Sequence, residues 1–189
     1  MDPPENLARL VVDGGELLAR LHSLEPGAGI RHDLRLPEER AIARARGIVR
    51  DEMGPGAAAL IERGADFLCH VVTTCPASAR AFTHGDFLPK HLLISDEAIG
   101  GVIDWEFAGR ASRAFDLARW EVSAGDNLHD RSDLLLRGYA RVADLPSGDA
   151  GLVPAFAVAW ALEVLSWQTP ASPAQFRRCI EVIARHAEA

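Results

Sequence analysis

The chain has 189 residues, 48% hydrophobic and 25% charged, a composition that supports a buried core within one ordinary domain. A formal net charge of −7 argues against a nucleic-acid partner, which calls for a basic face. The odd cysteine count (Cys69, Cys75 and Cys179, no CxxC pair) predicts buried free thiols in a reducing cytoplasm, and no signal peptide or membrane span is expected.

In chain order, the first helix is predicted from about Asn6 to Ser23, with Leu7, Leu10, Val11, Leu17, Leu18 and Leu21 on one face and Gly14-Gly15 as a weak point. EPGAG ends it, and Pro37 opens a second helix that runs to Gly54. A third covers about Ala57 to Val72. From Arg80 to Asp104 the apolar runs shorten to AFT, HLLI and GVID between turn residues, which reads as short strands in small hairpins. Helices then return at about Ala114–Ser123, Asp130–Val142, Gly151–Gln168 and Ala174–Ala187. Ser172 to Gln175 form a capping box before the last of them, and Phe156, Trp160, Val164 and Trp167 make an aromatic core stripe on the helix before it. The fold class expected is α+β, mainly helical. Residues 1–79 and 111–189 are helical, and residues 80–110 form a small β-hairpin insert that carries the polar residues of interest.

Within that insert, Asp86 and Asp104 each stand where a short strand ends. Carboxylates at the ends of neighbouring strands converge, and they repel unless a cation or proton lies between them. Mg²⁺, with its oxygen ligands and retained water, is the natural filler. His84 two residues before Asp86, His91 five after it, and Asp104 beyond the next strand match the plan of a kinase active site. In that plan the first aspartate takes the acceptor's proton, and the later groups hold Mg²⁺ against the phosphates of ATP.

HGDFLPKHLL, GVIDWEFAG and AFDLAR, in that order, resemble the catalytic core of the aminoglycoside phosphotransferase and choline kinase-like family. LARLHSL (residues 18 to 24) resembles the helix that opens that family's C-terminal lobe. The resemblance implies the C-terminal lobe of the protein kinase-like fold, with 1–189 as a single lobe. It implies Asp86 as catalytic base, Asp104 as principal metal ligand, Asp116 as the helix-borne brace of the catalytic loop, and His84 as the loop's organiser. Trp105 is expected to pack behind the metal site. Lys90, the chain's only lysine, is a candidate phosphate contact. The resemblance implies a small-molecule hydroxyl as acceptor, aminoglycoside-like or other, with Asp126, Asp130, Asp133 and Glu163 available to face a cationic acceptor or water.

Two positions depart from the family pattern. His91 stands where the family has asparagine, exchanging an amide oxygen for an imidazole nitrogen suited to softer metals. The residues before His84 read as helices and contain neither a Gly-rich phosphate loop nor a strand lysine, so the nucleotide-covering lobe is expected to be absent, and that open side to be covered by a second chain or by the tail folding back, unless the sequence is a fragment. Two other readings stand beside the phosphotransferase. One is a non-catalytic lobe serving as a binding module. The other is a metal-dependent hydrolase using His84, Asp86, His91 and Asp104, which leaves the FDLAR motif unexplained.

Overall fold

Apolar residues at helical spacing fold as the sequence predicts, to within four residues at each end. The computed structural model describes residues 5–25, 30–75, 80–124, 131–167 and 172–187. Its elements are α1 (Glu5–His22), β1 (Ile30–His32), α2 (Glu39–Met53), α3 (Pro55–Thr74), β2 (Ala81–Thr83), β3 (Leu92–Ser95), β4 (Ala98–Val102), β5 (Gly109–Ala111), α4 (Ala114–Ser123), α5 (Ser132–Tyr139), α6 (Ser147–Leu165) and α7 (Pro173–Ala187). Short 3-10 turns at Pro89–His91 and Trp105–Phe107 flank the β3–β4 hairpin. The fold is mainly helical with few strands. It divides into two compact units, Met1–Asp33 with Ser78–Leu152 and Leu34–Ala77 with Val153–Ala189.

The first unit holds every residue singled out for catalysis. Its core gathers Leu18, Phe87, Trp120, Leu135 and Tyr139, all nearly inaccessible to solvent. Gly15, expected to weaken α1, instead marks its tightest contact. A Cβ there would stand 2.0 Å from the Leu135 carbonyl oxygen, and one on Gly138 would stand 1.9 Å from that of Val12. The α1 and α5 backbones therefore touch, a distance only glycine permits.

Two small sheets complete this unit. One has the order β1-β5-β2, with β1 parallel and β2 antiparallel to β5. The other is the β3–β4 hairpin, where Leu92 faces Val102 and Ser95 faces Ala98. Asp96 and Glu97 close it at φ 49° and 60°, the signature of a two-residue turn with both central residues left-handed. Strand β1 was not anticipated. Its three residues carry no alternating pattern, and its partner lies about eighty positions on.

In the second unit, Val49, Ile61, Leu68, Leu162, Val182 and Ile183 form the core between α2, α3, α7 and the later part of α6. On the predicted stripe Phe156 and Val164 are buried, whereas Trp167 is 42% exposed. The Ser172 hydroxyl accepts the Gln175 N–H at 3.2 Å, as the capping motif predicts. Contrary to expectation, α6 is long and apolar enough to cross a bilayer by length and composition. More than half of it is buried against the protein, as in a core helix. The thiols also differ from expectation: Cys179 is buried, and burial pushes it up to about 12, but Cys69 and Cys75 are exposed.

Candidate active site

The loop after β2 is shaped by its glycine. Gly85 has φ 85°, and a Cβ there would lie 2.2 Å from the Phe107 carbonyl oxygen, so neither conformation nor space admits a side chain. His84 is fully buried. Its Nδ1 accepts the Asp86 N–H at 3.2 Å, which puts the ring proton on Nε2, where it is donated to the Ile103 carbonyl at 3.0 Å. One imidazole thus ties the Asp86 loop to the residue preceding Asp104. Trp105 lies against this imidazole, with ring centroids 4.5 Å apart, and its indole N–H donates to the Val102 carbonyl.

Asp116 sits in the first turn of α4 with no solvent exposure. Its carboxylate accepts the His84 N–H at 2.9 Å and the Gly85 N–H at 2.7 Å. His22 Nε2, at the end of α1, lies 3.1 Å from the same carboxylate, and His22 Nδ1 meets the Tyr139 hydroxyl at 3.0 Å. Desolvation, the largest single influence, pushes Asp116 up. The hydrogen bond and charge of His22 and the two loop N–H groups together outweigh it, and the carboxyl ends below its ordinary value. Burial, foremost, pushes the Tyr139 phenol up to about 12, so its hydroxyl keeps its proton at neutral pH.

Arg119 lies three residues after Asp116, on the same face of α4. Its guanidinium donates to Asp86 Oδ1 at 2.6 Å, and the pair is almost wholly buried. The Phe107 and Phe115 rings lie 6.0 and 5.8 Å from the guanidinium carbon, a cation–π setting that holds the arginine in place. One helix face therefore fixes both the backbone and the side chain of the His-Gly-Asp loop.

The hairpin supplies the other half of the site. The Ile103 N–H donates to the His91 carbonyl at 3.0 Å, extending the ladder beyond Leu92–Val102 and setting Asp104 beside His91. Asp104 itself is left-handed, at φ 69° and ψ 59°, a region that aspartate tolerates better than most residues. His91 Nδ1–H donates to the Asp86 carbonyl at 2.8 Å, and His91 Nε2 lies 3.0 Å from Asp104 Oδ2. One donor atom each from Asp86, His91 and Asp104 falls within 4.8 Å of the others. Asp86 and His91 are buried, while the Asp104 side chain is 41% exposed and open to an incoming ligand. This donor set fits a divalent cation, with one nitrogen where an all-oxygen site would have a third oxygen. Lys90 is largely exposed, with Nζ 3.9 Å from Asp86 Oδ2.

Asp86, His91, Asp104 and Lys90, singled out from sequence, thus come together, with His84 and Asp116 behind them. Asp133 and Glu163 are exposed, and Asp126 and Asp130 lie outside the described residues. Sequence reading missed His22, Arg119 and Tyr139. The i, i+3 spacing of Asp116 and Arg119 in FDLAR was the available signal for one of them, and the histidine of LARLHSL for another.

Residues 1–152 match the family described as "Phosphotransferase enzyme family". A homoserine kinase of Granulibacter bethesdensis is 30% identical over 155 residues, covering 74% of this chain and 46% of that protein. One of Azorhizobium caulinodans is 30% identical over 159 residues, covering 80% and 49%. The chain thus spans about half the length of these curated relatives. Among solved structures, a microcompartment-associated aminopropanol kinase superposes with a TM-score of 0.65 over 95% of this chain and 60% of that one, at 20% identity, a likeness of fold. With most of its length matched and its motif residues gathered at one site, the chain belongs to the phosphotransferase enzyme family.

Proposed function

We propose that this chain carries the catalytic half of a small-molecule kinase, transferring the terminal phosphate of ATP to a hydroxyl. The observation that carries this reading is the convergence of Asp86, His91 and Asp104 on one point beside a loop held from behind by Asp116 and Arg119. Phosphoryl transfer depends on positioning and charge stabilisation far more than on covalent chemistry, and a rigidly held carboxylate suits it. Asp86, with Oδ1 fixed by Arg119, keeps Oδ2 to orient the acceptor hydroxyl and take its proton. Asp104 and His91 would hold a divalent cation, whose charge would offset that of the phosphate oxygens. Lys90, on an exposed stem beside Asp86, is suited to a phosphate oxygen.

The two homoserine kinase relatives make a small hydroxylated amino acid the first acceptor to test, ahead of an aminoglycoside. The nucleotide side is proposed to be closed by a further lobe or a second chain, a reading supported by the exposed Ile103, Trp105 and Phe107 around Asp104. The test is ADP formation from ATP with homoserine, an aminopropanol and an aminoglycoside in turn, alongside calorimetric titration with metal–ATP. Acceptor-dependent ADP release that Asp86→Asn abolishes, with metal–ATP binding retained, supports the proposal. Unchanged turnover in Asp86→Asn would remove Asp86 from the reaction.

A further inference from the structure

The sheet β1-β5-β2 turns one face to the core and keeps the other partly exposed. Ala81 and Thr83 on β2 and Gly109 and Ala111 on β5 are buried, whereas Phe82 and Arg110, paired across the two strands, are half-buried on the opposite face. Arg80 directly precedes β2, so alternation puts it on the face of Phe82, diagonal to Arg110. Diagonal neighbours stand about 7–8 Å apart, within reach of two arginines onto one small anion.

The nitrogen atoms of these two side chains are poorly matched by the protein around them. Arg110 Nε is shut off from solvent and has no hydrogen-bond partner among the described residues, where Arg110 makes no ion pair either. Arg80 Nη2 pairs with Asp33 Oδ1 at 2.5 Å, while its Nη1, also shut off from solvent, has no partner there. A guanidinium stays protonated at any ordinary pH, so both charges persist where an unmet donor is costly. The neighbours on this face do not supply an acceptor. Phe82, stacked on Trp105 with ring centroids 6.2 Å apart, is apolar, and Arg31 is the register neighbour of Arg110 on β1. Asp33 is the one carboxylate paired here, and it meets Arg80 alone.

We infer that Arg110 and Arg80 form a second binding site, on the outer face of this sheet, for one small oxyanion of the carboxylate or phosphate kind. The planar fork of a guanidinium matches both, and the half-buried setting strengthens charge-assisted hydrogen bonds. Asp33 acts as an internal competitor that holds one edge of Arg80. Neither arginine belongs to the Asp86, His91 and Asp104 cluster, so the inference goes beyond the phosphotransferase reading and does not depend on it.

The experiment labels the full chain with nitrogen-15 and follows the arginine Nε–H signals by magnetic resonance. Sodium acetate, and separately sodium phosphate, replaces sodium chloride at constant ionic strength, and Arg110→Gln identifies the Arg110 signal by its loss. At least one oxyanion is expected to move that signal along a saturable curve with a midpoint of roughly 1–10 mM, and the anion that does so assigns the site to carboxylates, phosphates or both. Arg80→Gln is expected to weaken the binding about fivefold, the loss of one charge-assisted partner. Asp33→Asn is expected to tighten it about threefold by removing the competing carboxylate, a gain that damage to the fold would not produce. A wild-type Arg110 signal that moves no more with either oxyanion than with chloride overturns the inference and leaves the buried donors to water. Equal binding in Arg80→Gln, or no tightening in Asp33→Asn, overturns it as well. None of these outcomes bears on acceptor-dependent ADP formation, which tests Asp86 separately.

Discussion

Asp116 is the side chain on which the geometry of the loop most depends, and its protonation state makes that dependence measurable. Its carboxyl is held below the ordinary value, so the stability it contributes is fully present above the unfolded pKa of about 3.9. That stability is lost as pH falls through the lower folded value. Urea midpoints are therefore expected to drop as the pH falls below about 4 more steeply in wild type than in Asp116→Asn, which has no carboxyl to titrate. At pH 7 the variant should be weaker by roughly 2 kcal/mol, the order of cost for disturbing hydrogen bonds to a buried charge. Equal acid slopes in the two proteins would mean that Asp116 titrates alike folded and unfolded. Arg119 poses a separate question, because removing it leaves Asp86 buried beside no guanidinium. Arg119→Ala is expected to cost about 3 kcal/mol of stability. It should also lower kcat by about a hundredfold with metal–ATP affinity retained, the signature of a misplaced reacting group. A change confined to KM would contradict that role.

At the scale of elements, the helices were legible because each buries a continuous face whose period is written in its own residues. Three-residue strands carry no such period, and what makes Ile30–His32 a strand is β5, far along the chain. The active-site motifs were legible for a different reason: His84, Asp86 and His91 lie within one loop, and Asp104 follows the hairpin that begins there. Arg119 and His22 reach their partners across 33 and 94 positions, distances at which no local pattern speaks. The doublet Gly14-Gly15 was read as a helix weakness because its propensity is local, whereas its packing against α5 is tertiary. Gly138→Ala is accordingly expected to destabilise by about 3 kcal/mol or more, since its Cβ would meet backbone that cannot yield, and a melting curve unmoved by it would refute the close approach. The hairpin turn offers the opposite sign. Glu97, at φ 60°, pays the left-handed penalty that glycine avoids, so Glu97→Gly is expected to stabilise by about 1 kcal/mol. Its side chain makes only an exposed 3.7 Å contact with Arg9, while the Arg9 bond to the Glu97 carbonyl survives the change.

For the molecule as a whole, the surface around the site carries more apolar side chains than an isolated unit needs. Leu93, Ile94, Ile103, Trp105 and Phe107 are each between 42% and 50% exposed, all on the hairpin or the turn that follows it. Scattered exposed apolar residues are ordinary, whereas these five fall within fifteen positions beside the candidate site. Both Leu93 and Ile94 stand in solvent although neighbouring strand residues ordinarily face opposite sides, and the irregular register between them accompanies this double exposure. The chain also spans about half the length of its curated relatives, so the proposed closing element has room to be a further lobe or another chain. A hydrophobic dye is expected to bind the native protein at neutral pH. Leu93→Thr with Ile94→Thr, which puts β-branched residues at both strand positions, should cut that signal by at least half while the thermal midpoint holds within a few degrees. Sedimentation at rising concentration gives the matching measurement: self-association that the same pair of changes abolishes assigns the patch to a second copy, whereas a monomer that still binds dye leaves it for a different partner. Dye binding indifferent to both substitutions would mean that the hairpin is not the apolar surface the protein presents.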